Sequence, residues 1–215
     1  MLLLYAVAFG LIAGLATRGD IHSLGTVKVR FWPVALVGLA FQALLFSSPL
    51  AAVVGALGPS LYVISTTVVL MALVVNLRQP GFALVTAGAL ANFAVIVANG
   101  GQMPAAPEAF AALTGVAAVP TTDFTNSVIA GPHTALAFLG DNFVLPRPFP
   151  FANVFSIGDL LIGAGGAWFI VATMHRRASV RPDEPSLARV ARADGASARR
   201  ADGAPRAPSP TTGRV

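Results

Sequence analysis

Two aspartates, Asp141 and Asp159, are the residues best suited to chemistry in this chain. They flank the stretch where a polar, proline-rich run passes straight into a hydrophobic helix. Two carboxylates brought close cannot both ionise easily. One keeps a proton at neutral pH, and the pair then offers a general acid and a general base that activate water. In that reading Asp141 and Asp159 are catalytic. Each also has a structural reading. Ser156-Ile157-Gly158-Asp159 has the spacing of a capping box, with Ser156 as N-cap and Asp159 reaching back from N3, and a carboxylate is stabilised by the positive end of its helix. Asp141 follows Gly140 in a loop, where aspartates commonly cap or turn. If Asp159 caps its own helix, direct sharing of a proton with Asp141 is excluded.

Other polar residues are candidates for binding. Asn92 and Asn99 lie seven apart and so share one helix face. Gln42, Asn76 and Thr66-Thr67 also lie in or beside apolar runs. Hydrogen bonding between helices is the default role for such groups, and a polar transport path is the alternative. Arg147 reads first as an exposed loop arginine with no role; the alternatives are pairing with Asp141, Asp123 or Glu108, or binding an anionic headgroup. His133 stands apart from His22 and His175, so no histidine-rich metal site is expected. The chain has no cysteine, which excludes disulfides and thiolate chemistry. It has no phosphate-binding glycine loop, no Ser-His-Asp spacing and no nucleic-acid module. No cofactor and no nucleic-acid partner are expected.

The elements that must position these residues are apolar. Of 215 residues, 55% are hydrophobic and 11% charged, against about 25% charged in a soluble domain. A chain so composed has lipid as its main solvent. The expected fold is all-α: a polytopic membrane protein with five transmembrane helices at residues 2–16, 34–57, 61–77, 82–98 and 155–174. Leu2–Ala16 lacks a positive leader and a small-residue cleavage site, so it reads as an uncleaved first span. Its Gly10 and Gly14 form a GxxxG that lets a neighbouring helix come close. Ser47-Ser48-Pro49 should kink or end the second helix, Ser60 should cap the third, and Asn99-Gly100-Gly101 should stop the fourth. In the loop 99–153, Ala109–Val119 is too short to span and should lie at the interface or over the bundle.

The Lys and Arg distribution sets an orientation. Arg18, Lys28, Arg30, Arg78 and His175-Arg176-Arg177 fall on one side, and Arg147 alone on the other. The N-terminus is therefore expected outside, the C-terminus inside, and the long loop on the extracytoplasmic side. Residues 178–215, rich in Ala, Arg, Pro, Gly and Ser, read as a disordered cytoplasmic tail, whose arginines could rest on anionic lipid. Nine arginines from Arg176 onward account for the basic balance, so it does not signal a nucleic-acid-binding domain.

Two family resemblances follow. Arg30-Phe31-Trp32, Asn92, Asn99-Gly100-Gly101-Gln102-Met103-Pro104, Leu139-Gly140-Asp141 and Phe155-Ser156-Ile157-Gly158-Asp159, in this order, resemble bacterial multi-pass proteins classed as domain of unknown function 5317. That implies an integral membrane protein and no particular activity. More locally, Phe151–Ile162 resembles the last motif of lipoprotein signal peptidases, where a catalytic aspartate opens the final helix. Asp159 would take that place and Asp141 that of its partner. The residues around Asp141 depart from that family, which also has four spans rather than five.

The sequence thus points to an integral protein of the bacterial inner membrane, with its candidate extracytoplasmic site at the Asp141/Asp159 corner. The alternatives are a membrane-embedded aspartyl hydrolase acting on a lipid-linked or signal-peptide-like substrate, or a small transporter or accessory subunit. The expected partners are the lipid bilayer and a membrane protein or lipid-linked substrate.

Overall fold

Long apolar runs free of internal proline give five helices of 14 to 18 residues: α1 (Leu2–Ala16), α2 (Trp32–Leu45), α3 (Gly58–Val75), α4 (Phe82–Ala98) and α6 (Ile157–Met174). A shorter helix, α5 (Pro107–Thr114), lies between α4 and α6 in sequence. The computed structural model describes residues 2–46, 53–115 and 127–176. The five long helices are apolar around much of their circumference, as expected where the surroundings are nonpolar on most sides. Large apolar side chains stand exposed on each, among them Phe9, Val37, Met71, Leu90 and Trp168. Gly55–Val75 (21 residues) and Ile157–Met174 (18 residues) are long and apolar enough to cross a membrane, whereas α1, α2 and α4 are shorter apolar helices.

The helices pack in the order α1, α6, α4, α3, α2, so α6 sits between α1 and α4. Small residues permit this. Ala6 meets Gly163, Gly10 meets the Ala167 backbone and Gly14 meets the Met174 side chain, so α1 runs parallel to α6. The Gly10/Gly14 pair does admit a close neighbour. On the other side of α6, Gly88 rests on the Gly158 carbonyl and Gly81 on the Gly165 carbonyl, so α4 runs antiparallel to α6. Each of these glycine pairs is spaced by seven residues, close to two turns, which keeps both contacts on one face. At Gly81, φ is +77°, a conformation glycine adopts without strain.

At the end of the bundle where α6 begins, the segment after α4 folds into a cap. Strand β1 (Met103–Ala105) pairs in parallel with β2 (Ser127–Ile129), and on its other side Ala105 bridges Asp141. Strands β3 (Phe143–Leu145) and β4 (Asn153–Phe155) pair antiparallel, with the Phe143 and Phe155 rings stacked at 5.5 Å. The Tyr5 hydroxyl of α1 donates to the Pro150 carbonyl of the cap at 2.6 Å. At the opposite end the Asp20 N–H donates to the Met174 carbonyl at 2.7 Å. These two bonds tie the segment from Tyr5 to Asp20 to the cap at one end and to the close of α6 at the other.

Several boundaries differ from the sequence reading. α3 starts at Gly58 with Pro59 in its first turn, so Ser60 lies inside the helix and Leu57 is the N-cap. Proline's fixed φ suits the first helical turn, and the 3-10 turn Gly55–Leu57 leads into it directly. α2 ends at Leu45, ahead of Ser47-Ser48-Pro49, which lie outside the described residues. The last helix begins at Ile157 rather than Phe155, because Asn153–Phe155 is a strand. Among the described residues the fold is therefore mostly helical with four short strands in the cap, not purely helical. Of the apolar stretch Ala109–Val119, the part through Thr114 is in α5, with Ala109 buried, and residues 116–119 lie outside the described set. The expectation for the tail 178–215 also falls outside it.

Candidate functional site

Asp159 is placed by the start of α6. The Ser156 hydroxyl accepts from the Asp159 N–H at 3.0 Å, and the Asp159 Oδ2 accepts from the Ser156 N–H at 3.0 Å, which completes the capping box. The second carboxylate oxygen, Oδ1, accepts from the Asn92 side-chain amide at 2.9 Å. Asn92 Oδ1 in turn accepts from the Ser156 hydroxyl at 2.9 Å. Asn92, Ser156 and Asp159 thus close a ring of hydrogen bonds between α4 and α6. Ser156 is fully buried, so each of its polar atoms needs the partner it has. The ring forms only because α4 and α6 approach closely: a methyl group on Gly158 would collide with the Asn92 amide.

Asp141 is placed by the cap. Its N–H donates to the Pro104 carbonyl at 2.8 Å, and its carbonyl accepts from the Ala106 N–H at 3.0 Å, so its backbone extends the small parallel sheet. The side chain is buried, 9% exposed. Burial, and after it the charge of Asp159, pushes its carboxyl up to about 7, against a smaller pull from the amino-terminal charge. No hydrogen bond joins the two carboxyls. The negative charges of Asp159 and Asp141 also reach the Tyr62 phenol on α3. Tyr62 packs on the apolar cluster of Val95, Ile96 and Met103, which forms the floor of this region, and its ring meets Phe46 edge-on at 4.8 Å.

The remaining candidates lie elsewhere. Asn99 stitches the cap to the end of α4: its amide donates to Val95 and Ala135 carbonyls, and its Oδ1 accepts from the Ala135 N–H. Arg147 pairs with neither Asp141 nor Glu108. Its guanidinium donates to the Leu113 and Thr114 carbonyls, both at 2.9 Å, a placement favoured by the negative end of α5. Asp123 lies outside the described residues. Gln42 on α2 donates to the Thr66 hydroxyl on α3 at 3.3 Å. Gln42 and Asn92 therefore hydrogen-bond to separate neighbours. His133 is exposed in the cap, and among the described residues no cluster of three metal-binding side chains occurs.

Sequence reasoning singled out Asp141 and Asp159 and anticipated the capping box, which is present, and missed the link from Asn92 to both Ser156 and Asp159. It also missed Tyr62. The glycine spacing, Gly81/Gly88 against Gly158/Gly165, was the available signal for the first. Nothing local marks Tyr62, because only the α3–cap packing brings it to the acids.

The profile of a family of unknown function, DUF5317, matches residues 26–171, which contain every one of these residues. No curated protein and no solved structure matches the chain.

Proposed function

The chain belongs to the DUF5317 family, and from that premise we propose that it is a five-span integral protein of the bacterial inner membrane whose extracytoplasmic cap binds a protonated amine at Asp141 and Asp159. The membrane setting is supported by the two helices long enough to cross and by large apolar side chains exposed on all five long helices. α1 counts as a span because it runs beside α6 from cap to opposite end. The orientation rests on the basic residues gathered at the end opposite the cap.

One observation carries the binding reading. Two carboxyls lie within each other's field, and Arg147, the only basic side chain of Arg or Lys type between Arg78 and Arg176, is engaged by carbonyls instead. A buried acid without a basic partner takes up a proton or a cation. Asp159 is the fixed member, its two carboxylate oxygens held by the Ser156 N–H and the Asn92 amide. Asp141 is the adjustable one, since its protonation changes near neutral pH. A cationic amine reaching Asp141 would displace its proton and gain a charge-assisted hydrogen bond there, within the field of Asp159.

A hydrolase sharing one proton between the acids is less well supported. Both Asp159 oxygens are engaged in the capping and interhelical ring, and no hydrogen bond reaches Asp141. A polar transport path is disfavoured by the separate neighbours of Gln42 and Asn92.

The test uses the full chain in detergent, titrated with ethanolamine while thermal unfolding is followed. Ethanolamine should raise the unfolding temperature above neutral pH, and Asp141→Asn should abolish the shift. An equal shift in Asp141→Asn, or none in the wild type, overturns the reading. Cleavage of a membrane-anchored peptide that is lost in both Asp141→Asn and Asp159→Asn would replace it with the hydrolase. Topology is checked separately. The chain has no cysteine, so His133→Cys and His22→Cys each give one thiol, and an impermeant maleimide on intact cells should label only the first.

A further inference from the structure

The end of the bundle opposite the cap carries a corner that the amine site does not explain. Asn76 caps α3, is 4% exposed, and grips the backbone of Arg30: its amide donates to the Arg30 carbonyl at 2.8 Å and its Oδ1 accepts from the Arg30 N–H at 2.8 Å. A third bond, to the Ala72 carbonyl at 2.7 Å, fixes the Asn76 side chain itself. With Arg30 held in place, the chain has one residue in which to turn into α2. That residue is Phe31, at φ +57° and ψ +23°. A bulky side chain rarely occupies this left-handed region, and it persists only where the surroundings enforce it.

The turn projects side chains outward. The Phe31 and Trp32 rings are 52% and 60% exposed, and the Arg30 guanidinium lies 5.8 Å from the centre of the Phe31 ring. More positive charge is held in the same layer. The Gln79 amide donates to the Lys28 carbonyl at 3.3 Å, and the Arg176 guanidinium donates to the Gln79 Oε1 at 3.1 Å. In water, two large rings on a strained corner gain nothing. At a membrane surface they sit at the level where aromatic rings are favoured, with the cations at the phosphates.

We propose that the Arg30-Phe31-Trp32 corner, with Lys28 and Arg176 beside it, binds the headgroup of an anionic phospholipid. The phosphate sits against the Arg30 guanidinium, and the rings lie on the first carbons of the acyl chains. The inference rests on the membrane reading above but not on the amine site.

The test compares the full chain in phosphatidylcholine nanodiscs with and without phosphatidylglycerol, reading the unfolding temperature and the lipids retained in native mass spectrometry. Phosphatidylglycerol should raise the unfolding temperature of the wild type and be retained preferentially. Arg30→Gln should weaken that retention about fivefold, the worth of one basic contact at an anionic surface. Phe31→Gly is the sharper variant. It relieves the left-handed strain, so the protein in phosphatidylcholine alone should unfold at the same or a higher temperature, while the response to phosphatidylglycerol falls. A merely structural corner would lose stability equally in both lipids. Equal responses in wild type and both variants, or none in the wild type, overturn the proposal. A chain that alkaline carbonate strips from membranes overturns the membrane reading itself, which is a distinguishable result.

Discussion

Replacing Asp141 by Asn should change how stability depends on pH. The Asp141 carboxyl rises from its ordinary 3.8 to about 7 in the folded protein, first through burial and then through the Asp159 charge. In the unfolded chain it ionises at its ordinary value. Between about pH 4 and about pH 7 the folded state therefore holds a proton that the unfolded state has released, and stability falls as pH rises. Below that window the group costs nothing, and above it the full cost is present. At about 1.36 kcal/mol per pKa unit, a rise from 3.8 to about 7 corresponds to about 4 kcal/mol. Local relaxation and water entry bring the expected figure to roughly 2–4 kcal/mol. Asn cannot ionise, so the advantage of Asp141→Asn over wild type should be smallest at acid pH, grow through the window and level off above neutrality. Any constant cost of burying an amide shifts the whole difference without changing this shape. Denaturation of both proteins in one detergent across that range measures it. Asp159→Asn should shrink the window without removing it, because burial is the larger cause. Parallel pH profiles for wild type and Asp141→Asn would refute the reasoning.

Gly158→Ala should destabilise by about 1–3 kcal/mol or more through overpacking, since the new methyl meets the Asn92 amide. Gly166→Ala, whose only neighbour within range is Leu3 at 4.0 Å, should be neutral or stabilise by about 0.5–1 kcal/mol, and denaturation of the two variants side by side separates position from residue type. Asn92→Leu should cost about 1–3 kcal/mol, because it strips the fully buried Ser156 hydroxyl of its acceptor; the same denaturation reads it. Arg147→Ala removes two bonds from the end of α5 and should speed amide exchange across residues 107–114 at a cost of about 1 kcal/mol, with exchange in α6 unchanged.

The helices were legible because apolar run length and turn chemistry are local properties. So was the capping box, which is spelled out by Ser156 and Asp159 three positions apart. The cap was not. Its strands are three residues each, too short to leave a period, and β1 finds its partners only in distant segments near Ser127 and Asp141. The Arg147 contacts were hidden for a related reason: a sequence offers its formal charges as partners and hides the carbonyls at a helix end. Ser60 looked like a cap because its residue type fits, yet Pro59 was the stronger signal, since its fixed φ starts the helix ahead of it. The burial that raises Asp141 is likewise a product of the folded cap and has no counterpart in the local sequence.

The order of helices across the bundle has a bearing on how the chain is made. α6 is made after α1 to α4, and it supplies the main packing surface for α1 and a large one for α4. Until it arrives, α1 has no helix to receive Gly10 and Gly14, and Asn92 faces no Ser156 or Asp159. Among the described helices α1 must wait, whereas α2, α3 and α4, which pack in that order, can associate during synthesis. A chain that stops short of Ile157 therefore exposes both a bare small-residue stripe and an unanswered polar group. Those are features by which a quality-control protease could tell an unfinished copy from a finished one.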